Sequence, residues 1–264
     1  MDNATTVKAV FFDIDGTLVS FKTKTIPDST TRALAHLREK GIRVFIATGR
    51  SINAISHIQH LEFDGYITFN GGCCVARDKS VLFKQTLDPQ DIQQLLNYTS
   101  KQPLNFSLMY EDCHFVNEAT PEIINMYAYL NLPVPPLVDR NNPDIANILQ
   151  ANILLNPEDE LDFMSNIMPN SIATRWAPHS ADINPKGISK KVGIEVFCQH
   201  FGFHISETMA FGDGGNDIEM LKHTGIGIAM GNATDDVKAI ADYVTDDIDN
   251  DGIWNALVYF KMTS

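Results

Sequence analysis

The chain has 264 residues, 44% hydrophobic and 20% charged, with a formal net charge of −13. That length allows one large domain or two modest ones around a sizeable core, with the composition of a soluble globular protein. The acidic balance excludes nucleic acid as the main partner, since a polyanion needs clustered Lys and Arg, and no run approaches the roughly 18–20 apolar residues of a membrane span.

The first predicted element is the apolar strand Val7–Phe12, which runs straight into Asp13-Ile-Asp15-Gly16-Thr17. A carboxylate at the mouth of a core is unfavourable unless it is paired or binds a metal. Two of them one residue apart, in extended geometry, point to the same side. Such a pair calls for a divalent cation, and a carboxylate held there can act as a nucleophile toward phosphorus. An ordinary N-cap and turn is the alternative for this segment taken alone.

A helix is predicted from Pro27-Asp28-Ser29 to Gly41, followed by the strand Ile42–Ala47, the turn Thr48-Gly49-Arg50 and a helix through Ile55 and Ile58. Gly65–Phe69 makes a third strand, ending at Asn70-Gly71-Gly72. This alternation implies an α/β fold, a Rossmann-like parallel sheet with helices on its faces. The rhythm then changes. Hairpins are predicted near 73–84 and 104–117, helices near 89–99, 121–131 and 158–167, and strands near 149–155 and 172–183. These read as an inserted α+β domain, residues 84–185, within a core formed by 1–83 and 186–264. The core rhythm resumes with a helix carrying Ile188, Val192 and Phe201, then the strand Glu207–Gly212 running into Asp213-Gly-Gly-Asn216-Asp217. Gly225–Ala229 and Tyr243–Thr245 are further strands, and a last helix covers Ile253–Phe260.

In open parallel sheets, ligands sit beyond the carboxyl ends of the strands. Asp13/Asp15, Thr48-Gly49-Arg50 and Asp213–Asp217 each occupy such an end. Together they suit phosphoryl transfer, which is mostly positioning and charge neutralisation. Mg²⁺ is the expected cation, with Asp13 and Asp213 as side-chain ligands and Asp15 supplying a main-chain carbonyl. The Asp15 carboxyl then remains free as general acid, and Thr48 and Gly49 offer a hydroxyl and an N–H to phosphate oxygens. A lysine is needed to complete the clamp.

Asp13-Ile-Asp-Gly-Thr17, Ala47-Thr-Gly-Arg50, a lysine on the helix before the last acidic loop, and Gly212-Asp-Gly-Gly-Asn-Asp217 resemble, in order, the four motifs of the haloacid dehalogenase superfamily. Ile67-Thr-Phe-Asn70-Gly71-Gly72 and Asp251-Gly252-Ile253 are similar to its Cof-type branch, whose type IIB cap is inserted between the second and third motifs. The resemblance implies an Mg²⁺-dependent phosphatase of small phosphomonoesters, sugar phosphates above all, with an aspartyl-phosphate intermediate and a cap that closes over the substrate. By position it implies Asp13 as nucleophile and metal ligand, Asp15 as acid/base and Thr48 as phosphoryl ligand. It likewise makes Asp213 a metal ligand, Asn216 a contact to phosphate or substrate, and Asp217 the group that orients the metal's waters and the lysine. Asn70 joins the substrate-binding set. Lys190 is the better match to the third motif, with Lys186 one helical turn away as the fallback. A sugar phosphomutase and a phospho-acceptor signalling module are the alternatives, the second opposed by the acid at Asp15 and by the large insert. Arg175, Trp176 and His179 are candidate contacts to the leaving group.

Asp247-Ile-Asp249-Asn-Asp251-Gly252 imitates a calcium loop but has Val258 at its twelfth position, and so reads as a solvated turn. Cys73, Cys74, Cys113 and Cys198 show no disulfide spacing and read as buried thiols, and the first six residues lack the features of a signal peptide. The expectation is a cytoplasmic protein, monomeric or a weak homodimer, whose partner is a small phosphorylated metabolite.

Overall fold

The computed structural model describes residues 6–130, 132–139 and 143–263. They form two compact units: Met1–Thr48, His57–Phe83 and Ser189–Ser264 in the first, Gly49–Ser56 and Lys84–Ile188 in the second. The short segment Gly49–Ser56 thus goes with the insert, and the chain returns to the first unit at Ser189.

The first unit opens with β1 (Ala9–Phe12), whose four residues are all buried, as a strand covered on both faces requires. Helix α1 (Asp28–Glu39) buries Ala33, Leu34 and Leu37, and the chain leaves it through Gly41 at φ +74°. Next comes β2 (Arg43–Ala47). Asn53–Leu61 is 3₁₀ where a regular helix was expected; Asn53 and Ser56 favour caps over helix interiors and interrupt the Ile55/Ile58 pattern. Three strands follow, β3 (Gly65–Thr68), β4 (Cys73–Ala76) and β5 (Val81–Lys84).

The second unit comprises α2 (Pro89–Thr99), β6 (Asn105–Met109), β7 (His114–Val116), α3 (Pro121–Tyr129), β8 (Gln150–Leu154), α4 (Pro157–Asn166), β9 (Ser171–Ala177) and β10 (Ser180–Pro185). The single strand expected over 172–183 is two, because the chain reverses at Pro178-His179. The sheet order is β7-β6-β8-β10-β9, with β6 antiparallel to β7 and β8, and β10 antiparallel to β8 and β9. The period of two divides its faces. Phe106, Leu108, Ala151, Ile153, Ala181 and Ile183 form an apolar core with Ile92 and Leu95 of α2 and Phe163 of α4. The alternate positions Ser107, Gln150, Asn152, Asp182 and Asn184 are polar and nonetheless buried.

The first unit resumes with α5 (Lys190–Phe201), β11 (Thr208–Gly212), α6 (Ile218–His223), β12 (Ile226–Ala229), α7 (Asp235–Lys238), β13 (Tyr243–Val244) and α8 (Gly252–Tyr259). Its eight-stranded sheet has the order β13-β12-β11-β1-β2-β3-β4-β5. The pairs from β13 to β3 are parallel, and β4 is antiparallel to β3. Strand order reverses beside β1, which has β2 on one side and β11 on the other, so the switch point lies at the carboxyl end of β1.

One face of this sheet is held by aromatic packing. The Phe45 ring lies 4.8 Å from Phe11 and 4.8 Å from Phe197, and Phe201 is 5.6 Å away. Phe45→Ala should destabilise this unit by about 3–5 kcal/mol, read as a lowered denaturant midpoint; a midpoint unchanged within error would show that Phe45 is dispensable to this core.

All four cysteines are free, and Cys113 is exposed, contrary to the expectation of four buried thiols, because it lies in the β6–β7 turn. No described helix is long and apolar enough to cross a membrane.

Candidate active site

Five neighbouring strands stop at nearly one level. Beyond β1 the next residue is Asp13, beyond β2 it is Thr48, beyond β11 it is Asp213, and Asn70 and Met230 follow closely on β3 and β12. Parallel register makes the ends coincide, since Phe12 pairs with both Ile46 and Phe211. The main chain then fixes the first turn: the Asp13 N–H donates to Phe211 O at 3.0 Å, and the Gly16 N–H to Val19 O at 2.9 Å. Gly16 has φ +90°, and a Cβ there would fall 2.2 Å from Asp213 Oδ2, so glycine lets the turn close against Asp213.

The site is built around one lysine. Lys190, the first residue of α5, is fully buried, and its Nζ donates to Asp13 Oδ1 and to Asp217 Oδ1, each at 2.6 Å. Lys186, the fallback, is exposed and lies outside this cluster; its main-chain N–H donates to Asn170 O at 3.0 Å. Asp217 is saturated, because its Oδ2 also accepts the N–H groups of Asp213 and Gly214 at 2.9 Å each. Asp213 Oδ1 accepts from the Thr17 hydroxyl at 2.9 Å. Carboxylate oxygens of Asp13, Asp213 and Asp217 lie within 4.8 Å of one another. The Asp15 carboxylate is not in that set, which accords with a reading that gave the metal its main-chain carbonyl instead.

Burial raises the Asp13 carboxyl to about 7, with Asp217 and Asp15 adding to the rise and Lys190 opposing it. Burial, then Asp13 and Asp217, raises Asp213 to about 8 against the Thr17 hydroxyl and Lys190. Burial works against the Lys190 charge too, but Asp13 and Asp217 outweigh it and hold the ammonium above its ordinary range. Three buried carboxylates share one ammonium, so the cluster carries excess negative charge, and the raised proton affinity of Asp13 and Asp213 is its mark. A hard divalent cation that prefers oxygen fits this donor set.

Asn216 Nδ2 donates to Asn70 Oδ1 at 3.0 Å, so the two amides predicted to contact substrate meet each other. Thr48 is held by its main chain, with its N–H donating to Ile67 O at 2.8 Å and its carbonyl accepting from the Asn70 N–H at 3.0 Å. Gly49 belongs to the second unit, where its carbonyl accepts from Gln150 Nε2 at 3.2 Å.

One family's sequence profile, that of the haloacid dehalogenase-like hydrolases, matches residues 10–257. The chain is a member of that family. The Bacillus subtilis (strain 168) protein YkrA is 36% identical over 250 residues, 93% of this chain and 95% of YkrA. From the same organism, 5-amino-6-(5-phospho-D-ribitylamino)uracil phosphatase YcsE is 29% identical over 258 residues, 97% of this chain and 96% of YcsE. Among solved structures, the subclass IIB sugar phosphatase BT4131 superposes with a TM-score of 0.90 at 40% identity, covering 97% of this chain and 100% of that one.

Within this haloacid dehalogenase-like hydrolase, two contributors went unassigned in the sequence. Thr17 lies inside the first motif, yet its bond to Asp213 crosses 196 positions and has no sequence signature. Asn232 Nδ2 donates to Gly16 O at 2.8 Å and reaches Asp213 Oδ2 at 3.4 Å, while its Oδ1 accepts the Ile248 N–H at 3.0 Å. A polar amide just past β12, at the same sheet edge, was the available signal. The candidate leaving-group contacts are engaged elsewhere. Arg175 pairs with Glu160 and donates to Leu155 O and Pro178 O, Trp176 Nε1 donates to Asp182 Oδ1, and His179 hydrogen-bonds Asn156. The calcium-like segment is a capped turn in which Asp247 Oδ1 accepts the Asp249 N–H and Asp249 pairs with Lys22.

Proposed function

We propose that this hydrolase is a Mg²⁺-dependent phosphatase of small phosphomonoesters, sugar phosphates foremost, that works through an aspartyl-phosphate on Asp13. The observation that carries the reading is the Lys190 ammonium bridging Asp13 and Asp217 beside Asp213 at the switch point of a parallel sheet. Lys190 occupies Asp13 Oδ1, which leaves Oδ2 to attack phosphorus. The new bond joins that oxygen to phosphorus, the bond from phosphorus to the ester oxygen breaks, and Asp15 gives its proton to the departing alkoxide. Thr48 and the N–H that follows it, with Asn216 and Asn70, hold the phosphoryl and substrate oxygens. Asp15, now a base, takes a proton from water as that water attacks phosphorus, and Asp13 is regenerated with release of orthophosphate. Asp217, with no exposed surface, positions Lys190 and the Asp213 turn. Mg²⁺ held by Asp13, Asp213 and the Asp15 carbonyl would neutralise charge on the phosphoryl oxygens, which a carboxylate nucleophile requires.

The sugar phosphatase BT4131 and the ribitylaminouracil phosphatase YcsE support a small phosphorylated polyol as substrate. The deciding experiment is orthophosphate release across a panel of phosphorylated metabolites, with and without Mg²⁺. Release from several sugar phosphates only with Mg²⁺ is expected; isomerised product without free phosphate would replace hydrolase by mutase.

The charge excess also predicts a linkage between pH and metal. With folded-state values of about 7 and 8, Asp13 and Asp213 bind more protons folded than unfolded from about pH 4 upward. Their contribution to metal-free stability is therefore complete below about pH 4 and lost as pH rises toward 8. Mg²⁺ at about 100 times its Kd should raise Tm by about 5–10 °C, and more at pH 8 than at pH 6, where protons compete. Identical melting with and without the cation at pH 8 would count against the site.

A further inference from the structure

The peptide bond between Thr48 and Gly49 joins the two units. On the Thr48 side the main chain is pinned to Ile67 and Asn70, as described above. On the other side, the segment is held by side chains of the second unit. Gln150 Nε2 donates to Gly49 O at 3.2 Å, His114 Nε2 and Ser51 Oγ lie 3.1 Å apart in a hydrogen bond, and Asn53 Nδ2 donates to Asp112 O at 3.2 Å. The first two bonds bracket Arg50 and fix the direction in which the chain leaves Thr48. Gln150 and Ser51 are 1% and 2% exposed, so both bonds are shielded from water. Gln150 is itself oriented: its Oε1 accepts from Asn184 Nδ2 at 3.0 Å, which turns the amide nitrogen toward Gly49.

A strand face of this kind is ordinarily apolar or solvated, and a buried primary amide is costly unless its groups are used. Here its donor side serves the carbonyl one residue past Thr48. Consecutive Cα atoms are about 3.8 Å apart with a rigid peptide between them, so movement at Gly49 reaches Thr48 almost undiminished.

We infer that Gln150 and His114 are positioning residues for Thr48, a clamp that makes the setting of this candidate phosphoryl ligand depend on the second unit's sheet. The inference rests on the role given to Thr48 above. It separates Gln150 from a substrate contact, because a clamp acts on every phosphomonoester alike, including one too small to be selected by its leaving group.

The test is a double-mutant cycle on the full chain with p-nitrophenyl phosphate at saturating Mg²⁺, joined to amide hydrogen exchange. Gln150→Met keeps the volume and loses the donor; it should lower kcat about 10–100-fold with KM changed less than about threefold. Thr48→Val should lower kcat about 100-fold, and the double variant should match Thr48→Val within about twofold, since the clamp has nothing left to position. Multiplied losses, or full activity in Gln150→Met, would overturn the inference. Exchange of the Thr48 and Asn70 amides should quicken about tenfold in Gln150→Met, and unchanged protection there would equally overturn it. Should wild type release no phosphate, the proposed function falls, while loosened amides would still support the clamp. Ser51→Ala, which removes only a hydroxyl, should shift the same amides and kcat in the same direction and serves if Gln150→Met does not fold.

Discussion

Asp13→Asn should abolish turnover, by about 10⁴-fold or more in kcat, while leaving the protein folded. Asparagine has nearly the same shape, and its Oδ1 can still accept from Lys190, whose second partner Asp217 is untouched. What disappears is the anionic oxygen needed to form the bond to phosphorus. The substitution also removes a carboxylate that burial pushes up to about 7, so metal-free stability at pH 8 should hold or rise. The measurement pairs phosphate release with Tm at pH 8, with and without Mg²⁺. Lost activity, an unchanged or higher metal-free Tm and a weakened response to Mg²⁺ together assign Asp13 to both roles. A variant that keeps wild-type kcat would remove Asp13 as the nucleophile.

Asp15→Asn offers the chemical contrast. A general acid matters most when the leaving group is a poor one, so this variant should lose more activity on a sugar phosphate than on p-nitrophenyl phosphate, whose phenolate departs without a proton. Equal losses on both would show that Asp15 acts on something other than the departing oxygen.

The parallel core was legible because its strands are continuous apolar runs and each ends in residues that are expensive to bury. Val7–Phe12 followed by Asp13, Ile42–Ala47 followed by Thr48, and Glu207–Gly212 followed by Asp213 state both the sheet and the edge that carries the chemistry. Lys190 could be preferred over Lys186 by pattern alone, but only the fold shows why. The first turn of α5 brings its Nζ to both Asp13 and Asp217, while Lys186 stays exposed. Asn232 and Thr17 were not legible as Asp213 partners, since hydrogen bonds across 19 and 196 positions leave no local periodicity. The β9–β10 hairpin was missed because apolar and polar residues alternate through both strands, and only Pro178 marks the turn. The attachment of Gly49–Ser56 to the second unit was invisible for a related reason. It depends on Gln150 and His114, residues that read as ordinary strand positions until the sheet places them against the segment.

Lys190→Met is the second large expected effect, and it falls on stability as well as rate. The ammonium is fully buried and is the cation that bridges Asp13 and Asp217. Removing one member of a buried ionic cluster leaves uncompensated charge, and such changes destabilise by about 3–5 kcal/mol. The rate should fall about 10²–10³-fold as well, because Asp13 loses the group that orients it and the phosphoryl oxygens lose a nearby positive charge. The sign of the pH dependence separates charge from packing. Without the lysine, burial and mutual repulsion push the Asp13 and Asp217 carboxyls up, so the folded variant takes up protons that its unfolded chain does not bind. Its stability deficit relative to wild type should therefore be largest at pH 8 and shrink as the pH falls toward 5, measured by denaturant midpoints across that range. A deficit of the same size at every pH would mean that the loss is one of packed volume. Combining Lys190→Met with Asp13→Asn removes both a positive and a negative charge, and should recover part of the stability with none of the activity.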